Sequence, residues 1–184
     1  MATQTTAAEL VAALYRTSGK AEIVGGEIVL IPPAGDSHNL SAGAIYVSLR
    51  EYGRRTGRGR AYSDNAGFLV DLPRRKSFSP DAAFYVGPRT GPKFLDHAPI
   101  FAVEVRSPEE YGPAAERSMA AKRAEYFAAG TRVVWDVEIL RDGVIRVYRD
   151  SAPDEPRVYR RGDMAEAEPA LPGWTFPVDG LFED

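Results

Sequence analysis

The spacing of apolar and polar positions switches between two periods along this chain, and the switches mark its elements. Thr6-Ala7-Ala8-Glu9 has the form of a capping box, and Leu10, Val11, Leu14 and Tyr15 follow near helical spacing, which predicts a first helix. Ala21–Val24, Gly25-Gly26 and Glu27–Ile31 read as a β-hairpin whose glycines supply the positive φ of a tight turn, and Pro32-Pro33 ends it. Asp36 or Ser37 is placed to cap a second helix through Tyr52, with Leu40, Ile45, Leu49 and Tyr52 on its apolar stripe. The pattern then turns to short strands at Arg60–Ser63, Gly67–Leu72 and Asp81–Val86, separated by Asp64-Asn65 and Pro73–Ser79. Ile100–Arg106 is strongly apolar and reads as a central strand. Pro113 suits the first turn of a helix running to Ala129, with Gly130 behind it as the stop. Arg132–Glu138 and Val144–Arg149 flank the hairpin signal Asp142-Gly143, and one further strand is expected near Arg157–Tyr159. The aromatic residues of Trp174–Phe182 are expected to dock on the core.

Strands interleaved with helices in this way predict an α/β or α+β fold: a mixed sheet flanked by helices, behind an N-terminal helix and β-hairpin. No repeat and no boundary is visible, so residues 1–184 are expected to form a single domain, with 1–20 as a helical extension. Composition narrows the chemistry. The chain has no cysteine and two histidines, His38 and His97, which excludes disulfides, thiolate zinc sites and a cysteine nucleophile. Apolar runs such as Phe68–Val70 and Phe101–Val103 are too short to span a bilayer, and Met1–Glu9 lacks the features of a signal peptide, so a soluble, cytoplasmic protein without a membrane partner is expected. The net charge of −3 argues against indiscriminate nucleic-acid binding but leaves room for a local basic face. Only Lys20, Lys76, Lys93 and Lys122 are lysines. The arginines gather at Arg54, Arg55, Arg58, Arg60 and at Arg74, Arg75, and read either as solvated loops or as phosphate contacts.

Three residues carry most of the candidate chemistry. Asp81 follows Ser79-Pro80 and opens an apolar strand, where an acidic residue is either a turn former or a ligand. Glu104 sits inside Phe101-Ala102-Val103-Glu104-Val105-Arg106, and a carboxylate buried there must meet a cation or a metal, or stay protonated. Strand alternation puts Ala102, Glu104 and Arg106 on one face, which makes Arg106 the local candidate partner. On the third helix Ala115, Met119, Lys122 and Tyr126 share a stripe, so Lys122 either snorkels to the edge or reaches a carboxylate. Two carboxylates and a lysine suit a hard cation such as magnesium acting on a phosphate ester. A two-carboxylate glycosidase would need a cleft rich in exposed aromatics, and the aromatic residues show no such clustering.

In order along the chain, Ile23-Val24-Gly25-Gly26-Glu27, a proline segment, His38, Ser79-Pro80-Asp81, Phe101–Pro108, Lys122-Arg123-Ala124-Glu125-Tyr126 and Val133-Val134-Trp135-Asp136 resemble the Uma2 restriction endonuclease family from about Ala21 onward. The resemblance implies a restriction-endonuclease-like core of the PD-(D/E)xK type and a divalent-metal-dependent endonuclease acting on DNA. It implies Asp81, Glu104 and the carbonyl of Val105 as ligands of Mg2+ or Mn2+, and Lys122 as the catalytic lysine, carried on the helix. Glu27 matches an acidic position near the metal, and His38 a histidine after the proline segment. Duplex DNA has a local two-fold, and a homodimer is expected to match it. Two positions depart from the pattern: Arg106 stands where lysine is usual, and Ser118 where an aspartate often precedes the helix lysine. These departures support a second reading, a nuclease-like scaffold without turnover that binds nucleic acid or assembles with protein.

Overall fold

The computed structural model describes residues 5–182; residues 1–4 and 183–184, the two ends of the expected 1–184 domain, lie outside the described residues. Helix α1 (Ala7–Leu14) has its capping box: the Glu9 N–H donates to Thr6 Oγ1 at 3.3 Å, and the Thr6 N–H donates to the Glu9 carboxylate at 2.7 Å. Its Leu10 and Leu14 pack on Ala21 and Ile23 of the hairpin β1 (Ala21–Val24) and β2 (Glu27–Leu30), which turns on Gly25 and Gly26 at φ +63° and +83°. Helix α2 spans Asp36–Thr56. Gly35 is its N-cap and offers no side chain, so Asp36 is the first helical residue rather than the cap. The helix runs one turn beyond Tyr52 and stops at Gly57, whose φ of +66° is the left-handed conformation that favours glycine.

Strands β3 (Arg60–Ser63), β4 (Phe68–Leu69), β5 (Ser77–Phe78), β6 (Ala82–Tyr85) and β7 (Phe101–Val105) follow. The expected strand Gly67–Leu72 shrinks to β4, which pairs with β5 in a separate ribbon. Helix α3 (Pro113–Ala128) then crosses over to β8 (Val133–Glu138), β9 (Val144–Arg149) and β10 (Ala152–Tyr159). The six-stranded sheet has the order β10-β9-β8-β7-β6-β3, antiparallel except for β7 and β8, which α3 links as a parallel pair. A small ribbon of β11 (Met164–Glu166) and β12 (Thr175–Pro177), absent from the sequence-based expectation, closes the chain.

Alternation along β7 sorts the core. Phe101, Val103 and Val105 face α2 and the C-terminal segment, where the Trp135 and Trp174 rings pack at a tilt of 33° with centroids 5.1 Å apart. The tail aromatics therefore dock as expected. Ala102 faces α3, together with Tyr126, Val134 and Phe78.

Two buried polar contacts lock the crossover. Arg106, 4% exposed, donates from Nε and Nη2 to the two oxygens of Asp136 on β8, each at 2.7 Å, and also pairs with Glu116 at the start of α3. Glu138 accepts the N–H groups of Leu140, Arg141 and Asp142 at 2.7–2.8 Å and the Tyr111 hydroxyl at 2.8 Å, which builds the β8–β9 turn around one carboxylate. Arg106→Met leaves Asp136 buried and unpaired, so urea unfolding should show a loss of about 3–5 kcal/mol. For Glu138, burial raises the carboxyl pKa, but the backbone donors outweigh it and hold the value below the usual carboxylate range. Its stabilising contribution is therefore present above the unfolded-chain pKa of about 4.3 and lost as pH falls through the folded value. Glu138→Gln should cost about 1–3 kcal/mol at pH 7, and the gap to wild type should narrow in urea titrations below about pH 4.

Candidate active site

The register of β6 against β7 pairs Ala82 with Val103 and stops one step short of Asp81 and Glu104. The two carboxylates therefore sit at adjacent strand ends, and both line a cleft of ≈ 420 Å³ together with Lys20, Glu22, Val105 and Lys122. The cleft lies between the first hairpin, the sheet end and α3.

Asp81 is held from three sides. Its Oδ1 accepts the Lys20 ammonium at 2.6 Å; its Oδ2 accepts the Val105 N–H at 2.8 Å and lies 3.3 Å from His38 Nε2. Lys20 also meets Asp64 at 2.6 Å. Burial raises the Asp81 carboxyl, but the His38 contact and the Lys20 charge outweigh it and hold the group far below the ordinary range. For His38 burial acts against the proton, and the Asp81 contact overcomes it, so the imidazole pKa is raised. The Val105 backbone adds to that effect.

Glu104 is met from α3. Its Oε2 accepts Lys122 Nζ at 2.9 Å and its Oε1 accepts the Tyr126 hydroxyl at 2.6 Å. Burial pushes its carboxyl up, Lys122 draws it down, and the charges of Asp81 and Glu22 leave it above the usual value. Lys122 in turn is pushed down by burial and up by Glu104 and Glu22, with a net rise that keeps the ammonium charged at neutral pH.

Glu22 completes the cluster. Its Oε1 accepts the Ser79 N–H at 2.8 Å and lies 3.2 Å from Lys122, while its Oε2 accepts Arg75 at 2.5 Å. Burial raises the Glu22 carboxyl, but Lys122 and Arg75 bring it below normal. Arg75 also meets Glu125 of α3 at 2.6 Å. Glu22, Asp81 and Glu104 thus face Lys20, Lys122 and Arg75, three carboxylates against three cations.

Of the candidate residues, Asp81, Glu104, Val105, Lys122 and His38 are brought close together. Glu27 is not: it is exposed beside the hairpin turn, and the hairpin carboxylate in the cleft is Glu22. The register pairs Glu22 with Val29 and Val24 with Glu27, so the two acids share a face of the hairpin and differ in distance from the turn: Glu22 is buried between Ala21 and Ile23, whereas Glu27 directly follows the two exposed turn glycines. Arg106 shares a strand face with Glu104, but its guanidinium turns to Asp136 and Glu116 and does not line the cleft. Lys20, Glu22, Arg75 and Tyr126 went unassigned in the sequence reading. Glu22 carried the same signal as Glu104, an acid inside an apolar strand; Lys20, alone before β1, carried none.

Among the described residues, no group of three or more His, Asp or Glu side chains stands in metal-holding geometry. The donors at the cleft are the carboxylates of Asp81, Glu104 and Glu22, all oxygen. Magnesium often takes only one or two carboxylates and completes its shell with water and substrate phosphate. The donor set therefore fits a hard divalent cation, with Lys20 already standing at one Asp81 oxygen where such an ion would compete with it.

Among the described residues, no helix is long and apolar enough to cross a membrane. No curated protein matches the chain. The crystal structure of a putative nuclease belonging to DUF820, from Anabaena variabilis ATCC 29413, matches over 94% of this chain and 97% of its own at a TM-score of 0.73 and 14% identity, which shows a shared fold. The Uma2 family profile, described as "Putative restriction endonuclease", matches residues 8–179, nearly the whole of α1 through the C-terminal turn, and the chain belongs to that family.

Proposed function

We propose that the protein is a divalent-metal-dependent endodeoxyribonuclease that hydrolyses phosphodiester bonds in the cleft between the first hairpin and α3. The observation that carries this reading is the convergence of Asp81, Glu104 and Lys122, distant in sequence, on one solvent-open cleft. Asp81, Glu104 and the Val105 carbonyl would hold a Mg2+ or Mn2+ ion, which when bound polarises phosphoryl oxygens and lowers the pKa of a bound water.

The other roles belong to the chain itself. Lys122 remains charged, so it is a poor general base; it presents a fixed positive charge to the oxygens on which charge develops during attack at phosphorus. Glu22 and Glu104 hold that ammonium from two sides, and the position of Ser118 on α3 needs no acid to do so. The Tyr126 hydroxyl fixes the orientation of Glu104, and His38 with the Val105 N–H fixes that of Asp81. The local two-fold of duplex DNA favours a homodimer as the working assembly.

A second reading has its own observation. The carboxylates are already paired with Lys20 and Lys122, as in a scaffold that binds nucleic acid or protein without turnover. One assay separates the two. Supercoiled plasmid and labelled oligonucleotides are incubated with Mg2+ or Mn2+ and with wild type, Asp81→Ala, Glu104→Gln and Lys122→Met. The nuclease reading expects metal-dependent cleavage that falls about 10²-fold or more in each variant. Cleavage equal in wild type and Asp81→Ala, or none in either, favours the scaffold.

A further inference from the structure

The arginines noted along the sequence at 54–60 remain outside the candidate active site, and the fold brings two of them, Arg54 and Arg60, to one cleft. Helix α2 ends against edge strand β3 in a close approach built on two glycines. A Cβ on Gly53 would lie 3.0 Å from the Gly59 carbonyl oxygen, and one on Gly59 would lie 2.5 Å from that of Tyr85. This packing opens a separate cleft of ≈ 450 Å³ lined by Arg50 and Arg54 of α2, Arg60 and Tyr62 of β3, and Arg89 from the loop after β6. No carboxylate lines it.

The chain is net acidic, yet among the described residues none of these four arginines forms an ion pair. The arginine ion pairs lie elsewhere, on Arg75, Arg106, Arg132, Arg149 and Arg161. Arg60 is held in place by the Gly87 carbonyl and by the Tyr62 hydroxyl at 3.3 Å. Arg50, Arg54 and Arg89 are exposed. Compensation of the helix dipole accounts for Arg54 and Arg55 in the last turn of α2. It does not account for Arg50 one turn earlier, nor for Arg60 and Arg89, which come from other elements. Four converging guanidinium groups without acidic partners form a surface for phosphate oxygens.

Its place relative to the candidate active site identifies the phosphates. Helix α2 carries His38, in contact with Asp81, in its first turn and rises about 1.5 Å per residue, so Arg50 and Arg54 lie roughly 18–24 Å further along than His38. At about 3.4 Å per base pair this is some five to seven base pairs of duplex. We infer that the Arg50–Arg54–Arg60–Arg89 cleft is a second anchoring surface that grips the phosphodiester backbone of duplex DNA about half a helical turn from the phosphate held in the Asp81–Glu104 cleft. The inference rests on the endodeoxyribonuclease reading for the identity of its ligand.

The test measures binding of a 20-base-pair duplex by fluorescence anisotropy in EDTA, across a salt series. The proteins compared are wild type, Arg50→Ala/Arg54→Ala/Arg89→Ala, the same three positions changed to lysine, and, as a charge control, Arg157→Ala/Arg160→Ala on and just after the opposite edge strand β10. Thermal melting confirms that each folds, which these exposed positions favour. The alanine triple should weaken binding about tenfold or more near 100 mM salt and reduce the slope of log K against log salt by about 2 to 3. The lysine triple should keep most of the slope, and the control should match wild type. Equal slopes for wild type and the alanine triple overturn the inference, as does arginine-dependent binding to phosphatidylglycerol vesicles without duplex binding. Cleavage by the same proteins in Mg2+ keeps the two readings apart. If cleavage depends on Asp81 while the slopes are equal, only the anchoring surface falls. If the slope falls in the alanine triple but no Asp81-dependent cleavage occurs, only the nuclease reading falls.

Discussion

A carboxylate on a central strand has to be met by something, and in this protein that requirement organises the active end of the sheet. Glu104 lies one position before the end of β7, on the face that also carries Ala102 and packs against Tyr126 and Val134. Left alone, it would cost several kcal/mol or take up a proton. Helix α3 answers it with two side chains one turn apart, Lys122 and Tyr126, one on each oxygen. The crossover from β7 to a parallel neighbour lays that helix over this face, so the pairing is a consequence of topology as much as of residue choice. Lys122 then reaches past Glu104 to Glu22, and Arg75 ties Glu22 to Glu125 of α3. The first hairpin, the β4–β5 ribbon and α3 are thereby joined through charges around a single opening.

The same face shows how nearby charges can be separated by their partners. Arg106 is two residues beyond Glu104 and points to the same side, yet the two do not pair. The register of β7 with β8 sets Asp136 beside Glu104, and Arg106 takes Asp136 in a bidentate contact, an arrangement for which its planar fork is suited and a lysine is not. A carboxylate one strand away thus commits the cation in the usual lysine position to structure. The helix lysine is left to serve the cleft.

These outcomes mark what the sequence could reveal. Strands with clear alternation, the capping box of α1 and the glycine turns were legible because each depends on residues close in sequence. Asp81, Glu104 and Lys122 were legible because each contradicts its apolar surroundings. The Arg106–Asp136 pairing depends on which strands become neighbours, and no local pattern contains that. The same holds for Lys20, which acquires its partners Asp64 and Asp81 only through folding. Glu27 and Glu22 are both acids on one face of one hairpin, and what separates them is their distance from the turn, which the glycine pair marks in the sequence. Ala21 and Ile23 flank Glu22 on the buried strand, while the glycine pair carries Glu27 to solvent. The β11–β12 ribbon was missed for another reason: its strands are three residues each and are held mainly by Ala165 and Phe176 docking on the main core.

The balance of charge at the two clefts leads to one further step. Around Asp81 and Glu104 each carboxylate has its own lysine, so the opening presents little net positive potential with which to attract a polyanion. A phosphate diester approaching there meets acids as well as ammonium groups. The arginine cleft at the far end of α2 has the opposite character, cations without acids. A chain of net charge −3 therefore keeps its unpaired positive surface apart from its chemistry, with α2 as the rigid link between them. On the proposed division the distant cleft would supply attraction and register through phosphate contacts. The near cleft would then be free to hold its acids at the depressed or raised pKa values that their neighbours dictate, without also having to supply the proposed affinity for DNA.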